Sequence, residues 1–381
     1  MHTVPCMIFR GGTSKGLFFL EDDLPKDLKQ RNEVLLRLMG SPDNRQIDGL
    51  GGATSVTSKV AIIAPSVHDG ADIDYTFAQV SVDKPLVSYA GNCGNISSAI
   101  GAFAIEAGLV ARTDDSTLVR AYNTNTNKIL ETVVQTPHRQ IAYEGDYRIS
   151  GVPGMAAPVK LTMRHPNGTI SNRALPTGNA VDVLEIPHFG SLEVSMVDVT
   201  NPLVFVRATD LGLKGTELPA EIDSNPNLLS LLETIRGMAA QKLGLIQQYR
   251  TSAWDSPGVP KITLVAPVQD YSIVTGETVQ KTEIDIVARM MSMQKAHPTY
   301  AMTGSLCTAA AAFIPGTIVH EMYKGQDNQH QVRIGHPFGV ITAEAEIDID
   351  PNGELVIDSV SGYRTCRLLA KAKAYYIGDA E

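Results

Sequence analysis

Tyr89-Ala-Gly-Asn-Cys-Gly-Asn-Ile-Ser-Ser-Ala-Ile-Gly-Ala-Phe-Ala-Ile-Glu-Ala-Gly-Leu109 decides the fold of this chain. Its head, Asn92 to Asn95, is polar, and its body, Ile96 to Ala107, carries a single charge, Glu106. A segment apolar on every side reads as one buried helix, with Gly108 as its left-handed stop. It falls short of the ~20 residues that a bilayer span needs. Helix starts expose free N–H groups and partial positive charge, so Cys93 there is a candidate for thiolate chemistry and for a carboxylate beside it. A packed structural Cys is the alternative reading.

The stretch has a counterpart. Tyr300-Ala-Met-Thr-Gly-Ser-Leu-Cys-Thr-Ala-Ala-Ala-Ala-Phe313 follows the same pattern, with Thr303 facing Cys93, Gly304 facing Gly94 and Ser305 facing Asn95. Lys59-Val-Ala-Ile-Ile-Ala-Pro65 matches Lys261-Ile-Thr-Leu-Val-Ala-Pro267, and Leu17-Phe-Phe-Leu20 echoes Leu203-Val-Phe-Val206. A strand, a helix, a Lys-led strand and a buried helix therefore occur twice in order, the mark of an internal repeat. Two similar halves predict a pseudo-two-fold α/β pair, with the boundary near Pro187 to Gly190. Ligands favour such interfaces, and two helix heads facing one cleft would suit a molecule with two or more carboxylates.

Between these landmarks, Val4 to Phe9 reads as a strand and Arg10 to Gly16 as a flexible polar loop. That loop lacks the GxxxxGK[ST]-then-helix order of a nucleotide cradle. Arg31 to Met39 reads as an amphipathic helix, and Gly40 to Gly52 as a long loop of turn residues, the kind that carries function. Gln140 to Tyr143 reads as a strand, and Leu355 to Val360 and Arg367 to Tyr376 as two closing strands.

The bulk numbers narrow the class. Of 381 residues, 43% are hydrophobic and 19% charged, a globular composition. A net charge of −9, from 41 acidic and 32 basic residues, argues against nucleic acid. No apolar run is long enough for a membrane span. The four Cys show no framework spacing and the nine His no metal pattern, so a reduced, cytoplasmic setting without a metal is expected.

Several motifs together resemble the PrpF family, which shares the diaminopimelate epimerase-like fold. They are Arg10-Gly-Gly-Thr-Ser-Lys-Gly16, Gly40-Ser-Pro-Asp43, Gln46-Ile-Asp-Gly-Leu-Gly-Gly52, Thr57-Ser-Lys59, Gly91-Asn-Cys-Gly-Asn95, Leu175-Pro-Thr-Gly-Asn179, Gly335-His-Pro337 and Arg364-Thr-Cys-Arg367. The resemblance implies an α/β (α+β) fold of two pseudo-symmetric domains, 1–188 and 189–381, with the last strand a candidate to return to the first. Each domain would be a mostly antiparallel sheet around a central apolar helix.

The resemblance also implies an isomerase that moves a proton within a small unsaturated di- or tricarboxylic acid such as aconitate or 2-methylaconitate. A 4-oxalomesaconate tautomerase is the nearest alternative, and a non-catalytic carboxylate-binding protein on this fold is the one from another class. No cofactor is implied, and a homo-oligomer is compatible with it. Lys59 and Cys93 are implied as the acid/base pair. Expected substrate contacts are Thr13, Ser14 and Lys15, Gln46, Ser55 and Ser58, Asn92, Gly94 and Asn95, and Thr303, Gly304 and Ser305. Gln46 and the serines could equally order their own loops. The broader epimerase fold has a second Cys where this chain has Thr303, which disfavours a two-thiol racemase. Arg364 is open between a carboxylate contact and a surface ion pair.

Overall fold

A computed structural model describes residues 1–171, 173–325, 330–349 and 355–378. The chain forms two compact units, one of residues 1–162 with 363–381 and the other of residues 163–362. The stretch 187–190, expected to be the boundary, thus lies within the second unit, and the end of the chain belongs to the first.

The repeat read from the sequence is a repeat of strand pairing. In the first unit His2–Gly11 pairs antiparallel with Ser14–Leu20, which runs parallel to Lys59–Pro65. Lys59–Pro65 is antiparallel to Ile73–Val80, which is parallel to Asp115–Asn123, itself antiparallel to Lys128–Thr136. In the second unit Gly190–Val199, Asn201–Arg207, Lys261–Ala266, Ile286–Ser292, Gln331–His336 and Gly339–Ile349 follow in the same alternation. The registers differ by one residue. Leu17 pairs with Val60, whereas its counterpart Leu203 pairs with Lys261.

Alternation along Ser14–Leu20 explains how the first unit holds two layers. Leu17 and Phe19 face one side, where they pack with Val34, Leu35 and Leu38 of the helix Leu28–Met39. Phe18 faces the other, where its ring lies 5.0 Å from Phe9 and 5.7 Å from Phe103 of the buried helix. Gly101 lets that helix approach the sheet, since a Cβ there would sit 2.3 Å from Thr132 Oγ1. The helix Leu28–Met39 starts at Asp27, whose side chain accepts from Gln30 N at 2.9 Å, and ends at Gly40 in the left-handed region. In the second unit the helix Pro226–Lys242 covers the corresponding face through Leu232, Ile235 and Ala239, and Met302–Phe313 is the buried helix.

Four local expectations change. The deciding stretch is two helices, Gly94–Ser97 and Ile100–Glu106. Consecutive serines interrupt it, with Ser98 Oγ donating to Asn95 O at 2.7 Å and Ser97 Oγ lying 3.0 Å from Cys93 O, in competition with the helical ladder. Gly108 does stop it, at φ +77°. The Arg10–Gly16 loop is a tight hairpin turned at Gly12 and Thr13, with Ser14 and Lys15 already in the second strand. Gln140 to Tyr143 forms no strand. The two closing strands are one, Leu355–Tyr376; residues 355–362 pair within the second unit and residues 366–376 pair with His2–Gly11.

Candidate active site

Lys59 begins a strand buried on both faces, and only 8% of its surface is exposed. Its ammonium is held by neutral groups. Nζ donates to Gln79 Oε1 at 2.6 Å and lies 5.2 Å from the centre of the Phe77 ring. Among the described residues no carboxylate pairs with it. Gln79 sits directly across the ladder from Lys59. Its amide nitrogen donates to Ser58 O at 2.9 Å and Ser55 O at 3.1 Å, which turns its oxygen to the amine.

Cys93 precedes the short helix Gly94–Ser97 as its N-cap and is half-buried. Its N–H donates to Asn92 Oδ1 at 2.7 Å, and its carbonyl accepts from Ser97 N at 2.8 Å. Because that helix is only four residues long, the macrodipole expected of an unbroken helix is largely absent. Cys6, Cys307 and Cys366 are buried. Burial pushes all three thiols up, Cys366 to about 12 against the opposing pull of Arg10. Cys93 is thus the thiol within reach of a ligand. Tyr75 lies fully buried nearby, and among the described residues its hydroxyl has no partner in hydrogen-bond geometry; burial first, and Cys93 second, push its phenol well above the usual range, with Ser97 pulling the other way.

The hairpin and the helix head meet through glycines. A Cβ on Gly11 would lie 2.3 Å from Asn95 O, and one on Gly16 would lie 2.6 Å from Lys59 O and 3.2 Å from Ile96 Cδ1. Backbone from the Lys59 strand and from the segment after Cys93 therefore touch the two arms of the same hairpin. Asn95 is buried, donates Nδ2 to Thr13 Oγ1 at 3.1 Å, and accepts from Arg364 Nε at 3.2 Å. Arg364 is 5% exposed, which removes the surface ion-pair reading, and burial pushes its guanidinium down to about 10, with Tyr147 acting in the opposite direction.

Not every expected contact faces open space. Gln46 is buried and fully engaged, with Nε2 donating to Ser41 Oγ at 3.0 Å and Ser58 Oγ at 2.7 Å, and Oε1 accepting from Ala53 N at 2.8 Å. It and buried Ser58 build the loop, while Ser55 is exposed and Lys15 half-buried with its N–H on Val56 O. Ser14 is buried at the hairpin. Within the second unit Thr303 and Ser305 are buried, Ser305 Oγ donates to Met302 O at 2.8 Å, and Thr303 O accepts from Thr200 Oγ1 at 2.8 Å. Gly304 lies against the Met290 side chain. Gln79 is not legible in the sequence because a strand residue's partner across the ladder depends on register, which local sequence leaves open, and Tyr75 is not because its place beside Cys93 depends on how the helix head packs on the strand. A cavity of about 500 Å³ within the first unit, lined by Arg10, Tyr143, Tyr147 and Arg367 among others, holds none of the expected site residues. Among the described residues no cluster of His, Cys, Asp or Glu suits a metal, and no helix is long and apolar enough to cross a membrane.

Comparison with known proteins gives one consistent result. Residues 1–376 match the family model described as PrpF protein. The chain is 44% identical over 373 residues to 3-methylitaconate isomerase of Eubacterium barkeri, covering 98% of this chain and 97% of that one. It is 38% identical over 379 residues to 2-methyl-aconitate isomerase of Shewanella oneidensis, covering 96% and 95%. A crystal structure of methylitaconate-delta-isomerase superposes with a TM-score of 0.82 at 42% identity, covering 100% of this chain and 98% of that one. A hydroxyproline epimerase from Agrobacterium vitis, 12% identical, shares the fold at a TM-score of 0.55 over 98% and 92%.

Proposed function

This chain belongs to the PrpF family, and from that premise we propose that it isomerises a small unsaturated di- or tricarboxylic acid by a 1,3-allylic proton shift. A base removes an allylic proton and leaves a dienolate whose charge spreads into a carboxylate. A proton returned to the far end of the allyl unit moves the double bond, with no net gain or loss of atoms. The relatives named for methylitaconate and methylaconitate support this class of acid.

Lys59 and Cys93 are the groups we assign to the two proton transfers. The observation that carries the assignment is the neutral setting of Lys59, a nearly buried amine held by an amide oxygen and an aromatic ring. A neighbouring carboxylate would compete for the amine, whereas neutral partners leave it available to the substrate. The half-buried thiol of Cys93 lies on the segment packed against the same hairpin.

The test is proton exchange followed by NMR in deuterated water against methylitaconate, aconitate, 2-methylaconitate and 4-oxalomesaconate. Wild-type protein is expected to incorporate deuterium at an allylic position of at least one acid. Lys59→Ala and Cys93→Ala are expected to lose roughly 10²- to 10⁴-fold in rate, the usual worth of a positioned acid or base. Wild-type rates in both variants would remove these residues from the mechanism. Exchange of the oxo-acid alone would move the reaction to keto–enol tautomerism.

A further inference from the structure

We infer that Arg364, Asn95 and Thr13 form a one-way donor relay that makes the Thr13 hydroxyl an obligate donor to a carboxylate of the ligand. The inference rests on the carboxylate class read above and adds to it a positioning residue, Arg364, and a direction.

The direction follows from donor chemistry. A guanidinium has donors only, so the Asn95 atom 3.2 Å from Arg364 Nε is the amide oxygen. The amide nitrogen is then the atom 3.1 Å from Thr13 Oγ1, and it too can only donate. Thr13 Oγ1 therefore accepts, and its own O–H is left to give. Among the described residues no acceptor for it is recorded, and Thr13 stands half-buried at the tip of the hairpin. Gly12 makes the arrangement possible, since a Cβ there would lie 2.1 Å from Asn95 Oδ1 and 3.2 Å from Arg364 Cδ.

Charge supplies the second argument. Arg364 donates to neutral oxygens only, Asn95 Oδ1 and Tyr363 O, and no carboxylate of the described residues pairs with it. A cation buried without a counter-charge is costly to keep unless an anion binds near it. An anion accepting from Thr13 would meet that need, and hydrogen bonds chained from a charged donor strengthen one another.

The test is titration calorimetry with tricarballylate, a saturated tricarboxylate with no double bond to move. Thr13→Val is expected to weaken binding roughly ten- to hundredfold, the range for hydrogen bonds to charged groups, and Thr13→Ser to restore it. Asn95→Asp reverses the relay, because its carboxylate accepts from both neighbours; it should weaken binding while leaving the protein folded, since it gives Arg364 an ion pair. Thr13→Val on top of Asn95→Asp should then cost nothing further. With a turned-over acid, Thr13→Val should raise KM with kcat little changed. Thr13→Val binding like wild type, full additivity of the two changes, or no binding of tricarballylate by wild type would each overturn the relay. Wild-type deuterium exchange alongside unaltered Thr13→Val binding would sink the relay and keep the isomerase reading. An intact relay with no exchange of any acid would do the reverse.

Discussion

Lys59 and Gln79 occupy one register position of two adjacent antiparallel strands, and the amine lies 2.6 Å from the amide oxygen. The amide is locked by two backbone carbonyls from the loop that leads into the Lys59 strand. One side chain thus fixes both the amine and the end of the long Gly-rich loop.

Replacing the amide tests that relationship. Gln79→Glu introduces a carboxylate that favours the charged amine. The limb of the kcat/KM profile governed by loss of the Lys59 proton should move to higher pH, and the rate at neutral pH should fall. Gln79→Leu should lower kcat without moving that limb in the same direction. A profile unchanged in Gln79→Glu would show that Lys59 carries no proton in the reaction.

Burial separates the four thiols. Cys93 is half-buried and the other three are buried, with burial pushing each of their thiols up. Brief iodoacetamide treatment of the folded protein should therefore label Cys93 first, as peptide mass spectrometry would show, and inactivate in step with labelling. Bound tricarboxylate should slow both. Prior labelling at Cys6, Cys307 or Cys366 would contradict the assigned burial.

The Leu175-Pro-Thr-Gly-Asn179 motif serves a buried carboxylate. Asp182 accepts from Thr177 Oγ1 at 2.6 Å and Asn179 Nδ2 at 3.2 Å, and pairs with Lys242 at 3.0 Å. Burial pushes its carboxyl up, but these three partners together outweigh burial and hold it below the usual range. A depressed folded-state value stabilises the fold above the unfolded value and is lost as pH falls through the folded one. Asp182→Asn should therefore cost roughly 1–3 kcal/mol in urea denaturation near neutral pH, with the gap to wild type closing below about pH 4. A gap of constant size down to pH 2 would refute the linkage.

Gly11 holds the hairpin against the helix head. Gly11→Ala places a methyl 2.3 Å from a backbone oxygen that has no rotamer to escape into. It should cost roughly 1–3 kcal/mol and lower activity more than stability alone requires. Gly258→Ala, whose nearest neighbour would be Met293 Sδ at 3.9 Å, should be close to neutral in the same assays. Equal behaviour of the two variants would mean that the contact is not confining.

Legibility varied with the range of the forces involved. The two buried helices were readable because an all-apolar run has no other stable home, yet the break at Ser98 was not, since it depends on where two hydroxyls turn. The closing strand read as two because Ser361, Gly362, Tyr363 and Arg364 interrupt its pattern. In the fold that stretch is mostly buried and keeps extended geometry as the strand passes from one unit to the other.

What the sequence alone determined is the doubled order of elements, the glycine stop at Gly108, and the presence of an amine and a thiol in one half. Those are carried by periodicity, turn chemistry and repetition, which act over a few residues or by direct comparison. What only the tertiary structure decided is which neutral group meets Lys59, which way the Asn95 amide points, and that Arg364 is buried beside it. These depend on strand register and on contacts between residues far apart in the chain, Asn95 and Arg364 among them, where packing rather than local pattern selects the partner.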